Sequence, residues 1–179
     1  YKSVLGDKPV QLGLNAGYDT LKMNADGVGP REGVLNSTYF SNENLVVMTD
    51  DWFATYNLEL RNDTALIDAA TAEDDSNASR ITFTTSHTRF IDTKKTTANI
   101  YDFGYSMNNA KGDNQKYLKI DLGYSYMNPV LTDSTLITKL GYYSSTYSKH
   151  SDDRKDSDIA LNITLSKPLT EKVSLTFLG

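Results

Sequence analysis

The stretch KYLKIDLGYSYMNPVLTDSTLITKLGYYSSTY, residues 116–147, decides the fold. From Leu118 every second residue is apolar: Leu118, Ile120, Leu122, Tyr124 and Tyr126. Between them stand Lys119, Asp121, Gly123 and Ser125. Successive side chains of a strand point to opposite faces, so this period of two describes a strand with one apolar and one polar face. The connector NPVLTD at 128–133 follows, and then a second stretch begins. The two together read as an antiparallel hairpin.

Outward from this hairpin the same period recurs. Val10, Leu12, Leu14, Ala16 and Tyr18 alternate with Gln11, Gly13, Asn15, Gly17 and Asp19. Tyr56, Leu58 and Leu60 alternate with Asn57, Glu59 and Arg61. Tyr101, Phe103, Tyr105 and Met107 alternate with Asp102, Gly104 and Ser106, and Ile159, Leu161, Ile163 and Leu165 with Ala160, Asn162 and Thr164. The segment at 34–50 reads as a strand broken by SNEN, and the one at 80–92 puts His87 and Arg89 on the side of Ile81 and Phe83. Nine strands result, at 9–22, 33–48, 52–62, 80–91, 97–108, 116–127, 134–147, 158–166 and 172–179. Short connectors near 50, at 92–95, 128–133 and 167–172 alternate with longer polar ones at 24–32, 63–79, 109–115 and 149–157. That is an up-and-down meander with short turns at one rim and long loops at the other. ALIDAATAE, inside the 63–79 connector, could hold one or two helical turns. Gly-Tyr recurs late in strands, in LNAGYD, YDFGYS, IDLGYS and TKLGYY.

Composition narrows the function classes. The 179 residues suit one domain, and all of 1–179 reads as a single β-barrel domain. Absence of Cys excludes disulfides, thiol catalysis and Cys-ligated zinc. The net charge of −5 and the lack of a basic cluster argue against nucleic acid. No apolar run approaches the roughly 18–20 residues of a transmembrane helix, but a transmembrane strand needs only about 9–11, half of them polar. No signal peptide is visible in YKSVLGDKP, so the chain reads as mature or as a piece of something longer.

Alternation alone does not say which face is inside. Three features favour a membrane barrel, whose polar face lines the lumen. The polar candidates are small or charged: Gly13, Asn15, Gly17, Asp19, Asn57, Glu59, Arg61, Asp102, Lys119, Asp121 and Lys139. Of these, Asn15, Asp19, Asn57, Glu59, Arg61, Asp102, Lys119, Asp121 and Lys139 are expected to line a polar path, with opposite charges pairing across a narrow lumen. Tyr18, Trp52, Tyr105, Tyr126 and Tyr142 are expected to form an aromatic girdle, where an apolar ring with a polar tip suits the headgroup level. The third feature is the loop asymmetry.

These residues make the chain resemble a bacterial outer-membrane β-barrel of porin-like type. LNAGYDTLKMN, with the later KPLTEKVSL turn, further resembles the barrel portion of surface lipoprotein assembly modifiers and exopolysaccharide exporters. Their first strand reads roughly Gly-Tyr-Asp-Ser-Asn, where this chain has Gly17-Tyr18-Asp19-Thr20-Leu21, and the helical periplasmic repeat of those proteins is not found here.

The expected fold is therefore all-β: an antiparallel up-and-down transmembrane β-barrel of about 8–10 strands in this chain, or a fragment of a larger barrel. The resemblance implies passive transport or export of solutes or polymers through a polar lumen in the Gram-negative outer membrane. Implied partners are the lipid bilayer and lipopolysaccharide, a small solute or exported polymer, and other chains or further sequence completing the barrel. Two alternatives stand beside it, a small structural or surface-interaction barrel with a filled interior and a soluble lipocalin-like ligand carrier. No enzymatic activity and no cofactor are expected. His87 and His150 lack motif support such as G-x-S-x-G. Asp74, Asp75, Asp152, Asp153, Asp156 and Asp158 lack the spacing of a calcium loop, so no metal site is assigned.

Overall fold

The computed structural model describes residues 2–5, 8–23, 32–66, 71–131, 133–150, 152–168 and 174–178. They form one ten-stranded sheet: β1 (Lys2–Leu5), β2 (Lys8–Met23), β3 (Glu32–Thr49), β4 (Trp52–Ala65), β5 (Ala78–Phe90), β6 (Ala98–Ala110), β7 (Tyr117–Leu131), β8 (Ser134–Thr146), β9 (Lys155–Pro168) and β10 (Ser174–Leu178). Each strand pairs antiparallel with the next in sequence, so the sheet is an up-and-down meander. No α-helix occurs among the described residues.

Three sequence expectations are corrected in detail. The strand at 33–48 is not broken at SNEN, because β3 pairs through it on both sides. The tenth strand is β1, which pairs Lys2–Leu5 with Lys8–Gln11. The barrel itself is seen as an open sheet, since no ladder joins β1 to β10 among the described residues. β1 covers only the start of β2, and β10 only the end of β9. Among the described residues, β2 from Gly13 onward and β9 up to Ile163 have no strand along their outer edge. With seven antiparallel steps between them, β2 and β9 run antiparallel to one another.

The connectors keep their asymmetry. At one rim β3 turns into β4 through Asp50 and Asp51, and β5 into β6 through 91–97. In the second turn the Asp92 carboxylate accepts from the Thr97 amide at 2.7 Å, the Thr96 amide at 3.0 Å and the Thr96 hydroxyl at 2.8 Å. At the other rim two 3-10 turns, Ala72–Asp74 and Asp113–Gln115, dock together. Asn114 donates to Asp74 at 2.9 Å, and the Gly112 amide to the Asp75 carbonyl at 2.9 Å.

Directly paired residues share a face, so the ladders sort the side chains. One face carries Leu12, Leu14, Phe40, Leu58, Leu60, Ile81, Phe83, Tyr101, Phe103, Ile120, Leu122, Leu140, Ile159 and Leu161. It is the more exposed one: Leu14 is 69% and Ile159 72% accessible. The opposite face carries the polar and charged residues, and there Asp63 has only 9% of its side chain accessible. A flat sheet would expose both faces alike, so the sheet wraps around its polar side. The buried apolar residues are Val10, Ala54, Ala98 and Ala110, and the largest fully buried side chain among the described residues is Ser37. Among the described residues no large side chain forms a conventional core, although burial of such side chains normally drives the folding of a domain this size in water.

The apolar band also slants across the ladders. The row through Leu14 runs Asn42, Leu58, Phe83, Tyr105, Ile120 and then leaves the apolar zone at Ser144 and Ser157. The row through Ala16 does the same: it runs Phe40, Leu60, Ile81, Met107 and Leu118, and leaves the zone at Thr146 and Lys155.

The polar face as candidate functional site

All nine residues expected to line a polar path share this sheltered face. Asp19 pairs with Ser37, which pairs with Asp63; Asn15 pairs with Ser41, which pairs with Glu59. Arg61 pairs with Tyr39 and Arg80, and Asn57 with Glu43 and Thr84. Asp102 pairs with Ser86 and Gly123, Lys119 with Ser106 and Ser145, Asp121 with Gly104 and Tyr143, and Lys139 with Ser125 and Asn162.

Near the long-loop rim Asp63 collects three donors. Ser37 donates at 2.6 Å, the Arg61 Nε at 3.0 Å and the Arg80 Nη2 at 3.1 Å. Arg61 also reaches Asp19 at 3.7 Å, and Arg80 donates to the Tyr117 hydroxyl at 3.5 Å. Midway along the face Lys139 meets Asp102 at 2.6 Å, and Lys119 meets Asp121 at 3.0 Å. Lys139, Asp102 and Asp121 border a cavity of about 330 Å³ that is also lined by Thr84, Gly104, Gly123 and Tyr143. Charges therefore pair along the face, within a strand or no more than two strands away, rather than across to an opposite wall.

The Gly-Tyr repeat acquires a physical reason here. Each of Gly17, Gly104, Gly123 and Gly141 lies on the polar face, and the following Tyr on the apolar one. A Cβ at Gly123 would stand 3.0 Å from an Asp102 carboxylate oxygen and 3.2 Å from Lys139 Cε. The missing side chain makes room for the ion pair. At Gly17 the Tyr39 ring occupies the same kind of vacancy.

The face changes character toward the short-turn rim, which the alternation did not reveal. Phe53, Phe90, Ala98, Ile100, Met127 and Ile137 lie on the polar side by register. Phe53 and Phe90 pack with ring centroids 5.8 Å apart, and Ala98 is fully buried. Asp63 and Arg80 were also missed, although Asp63 stands two residues beyond Arg61 in the same alternation.

The five expected girdle aromatics, Tyr18, Trp52, Tyr105, Tyr126 and Tyr142, all lie on the apolar face. Tyr18 lies toward the loop rim and Trp52 and Tyr126 toward the turn rim, whereas Tyr105 and Tyr142 pair within the apolar band, with Phe83 and Ile120 and with Leu122 and Ile159. His87 sits on the same face between Trp52 at 5.9 Å and Tyr56 at 5.7 Å. Asn42 and Asn44 interrupt this face; Asn42 donates to the Gly13 carbonyl and Asn44 to Asn42.

The loop carboxylates are engaged with their own chain. The Asn114 amide, then the Thr71 hydroxyl, hold the Asp74 carboxyl below its ordinary value, and the Asn77 backbone amide does the same for Asp75. His150 packs on Tyr147, and Arg154 lies 4.8 Å over the Tyr147 ring while pairing with Asp156 at 2.7 Å. Among the described residues no three metal-ligating side chains converge. No family model matches the chain, and comparison with curated proteins and with solved structures yields no match.

Proposed function

We propose that this chain forms wall of an outer-membrane β-barrel and serves passive passage of hydrophilic solutes, or export of a polymer, along its polar face. One observation carries the reading: the sheet shelters its charged face and exposes its apolar one. In water that arrangement wastes the hydrophobic effect, whereas in a bilayer it is the favoured one. The slant of the apolar band supports it, because strands tilted through a slab of constant height cross it at successive ladder positions. Strands β2 to β9 have 13 to 18 residues, more than the about 9–11 that span a bilayer.

Lipid cannot satisfy the bare edges of β2 and β9, so they must find partners in the membrane. Their antiparallel directions suit pairing with each other or with strands added in hairpins. Lateral pairing of the charges suits a face turned to water, since no charge depends on an opposite wall. A second reading, a barrel with a filled interior, draws on the apolar cluster around Phe53 and Phe90. A lipocalin-like carrier would shelter the apolar face, opposite to the exposure found.

The test is reconstitution of the full chain into lipid vesicles and planar bilayers. Stable insertion with discrete current steps is the expected result. Insertion without current would favour the filled barrel. A chain that stays monomeric and soluble without detergent would sink the membrane reading.

A further inference from the structure

From the distribution of ion pairs on the polar face we infer that its free charge is negative and that the path it lines favours cations; this rests on the transport reading above. Among the described side chains of β2 to β9, four cations lie on that face: Arg61, Arg80, Lys119 and Lys139. Every one is held by a carboxylate. Arg61 is held by Asp63 and Asp19, Arg80 by Asp63, Lys119 by Asp121 and Lys139 by Asp102. The carboxylates outnumber them. Asp156, on the same face, is taken by Arg154 from the adjoining loop. Glu43, Glu59 and Asp158 remain without a cationic partner among the described residues.

Their placement matters as much as their number. Glu43 and Asp158 are exposed and Glu59 is half-buried, so solutes moving over the face meet them. They belong to two adjoining ladder rows. One runs Glu43, Asn57, Thr84, Gly104, Asp121, Tyr143, Asp158, and the next contains Glu59 and Lys119. The free carboxylates thus follow two adjoining ladder rows that slant with the strands, Glu43 and Glu59 on the neighbouring β3 and β4 and Asp158 on β9. At 0.1 M salt a charge acts over about 10 Å, roughly two strand spacings, so Glu43 and Glu59 act together, and Asp158 separately, on the ions passing the face. The paired groups close to net neutrality and contribute dipoles instead. Rings of carboxylates are a physical means of cation selection.

The experiment is the reversal potential of the reconstituted full chain under a potassium chloride gradient around 0.1 M. The expected result is permeability to potassium over chloride by about threefold or more, falling toward unity in 1 M salt. The triple variant Glu43→Gln, Glu59→Gln, Asp158→Asn should lose at least about half of that preference. Because none of the three is ion-paired, their neutralisation spares the folded sheet; Glu59→Gln alone, read in the same way, covers failure of the triple variant to insert. Current that is non-selective or prefers chloride overturns the inference and leaves the transport reading standing. Selectivity unchanged in both variants also overturns it. Insertion without current overturns the transport reading and the inference with it.

Discussion

The two faces of this sheet are made by the same strands and differ in what shelters them. On the polar face Asp63 is nearly closed off from solvent, while on the apolar face Leu14 and Ile159 stand out. A soluble sandwich or barrel reverses this, because burying apolar surface is what its folding gains. The difference teaches that charge pairing, hydrogen bonds and glycine gaps organise the polar face here, while the apolar face is left uncovered.

The polar face should be most vulnerable at Asp63. Asp63→Ala removes the acceptor shared by Ser37, Arg61 and Arg80 and leaves two guanidinium groups on a sheltered face. We expect a loss of about 3 kcal/mol, read as the denaturant midpoint of the reconstituted chain. Asp63→Asn, which keeps an acceptor for Ser37, should lose less.

The outer face is tested next. Leu140 is exposed between Tyr124 and Leu161. Leu140→Arg should cost about 2–4 kcal/mol if that face meets lipid, and within about 0.5 kcal/mol if it meets water. Asn57→Arg on the polar face, beside Glu43, is the control and should be nearly neutral. Equal, small effects of the two would remove the distinction between the faces.

What the sequence made legible follows the same division. A period of two assigns each residue of an uninterrupted strand to a face, so the nine polar and the five aromatic positions separated as they did. Period carries no information on how a face changes along its length. Phe53, Ile100 and Ile137 are apolar residues in the inward phase, and the equation of apolar with outward hid them. Asn42 and Asn44 are the converse, polar residues in the outward phase, and their amides made an intact strand read as a break. Asp63 was absorbed into a loop because β4 continues beyond its last apolar residues. Closure was out of reach for a different reason. Pairing of β2 or β9 with a further strand depends on backbone groups, which leave no signature in side-chain alternation.

A smaller effect sharpens the account of the inside. Gly123→Ala places a methyl group against both members of the Asp102–Lys139 pair. Overpacking of this kind costs about 1–3 kcal/mol unless the pair moves apart. If the pair does separate, the loss should nearly vanish in the double variant with Asp102→Asn, which weakens the pair beforehand. A double-mutant cycle on the denaturant midpoint measures that coupling.

The smallest effect belongs to the turn rim, where Asp92 ties the 91–97 turn. The backbone amide of Thr97 is the main reason that its carboxyl is held below the ordinary 3.8, with the hydroxyl and amide of Thr96 adding to this. A carboxylate with a depressed folded pKa stabilises the folded form above the ordinary value, and that contribution disappears as pH falls through the folded one. Acidification below 3.8 should therefore loosen this turn while neutral pH leaves it intact. The readout is amide hydrogen exchange at Thr96 and Thr97, corrected for the intrinsic pH dependence of exchange. Protection of both should fall with acid in the native chain. In Asp92→Asn it should be lower at neutral pH and lose this acid-dependent step. A native chain whose Thr97 protection ignores pH would show that the backbone alone, through the Lys95 amide bonded to the Asp92 carbonyl at 3.2 Å, suffices to hold the turn.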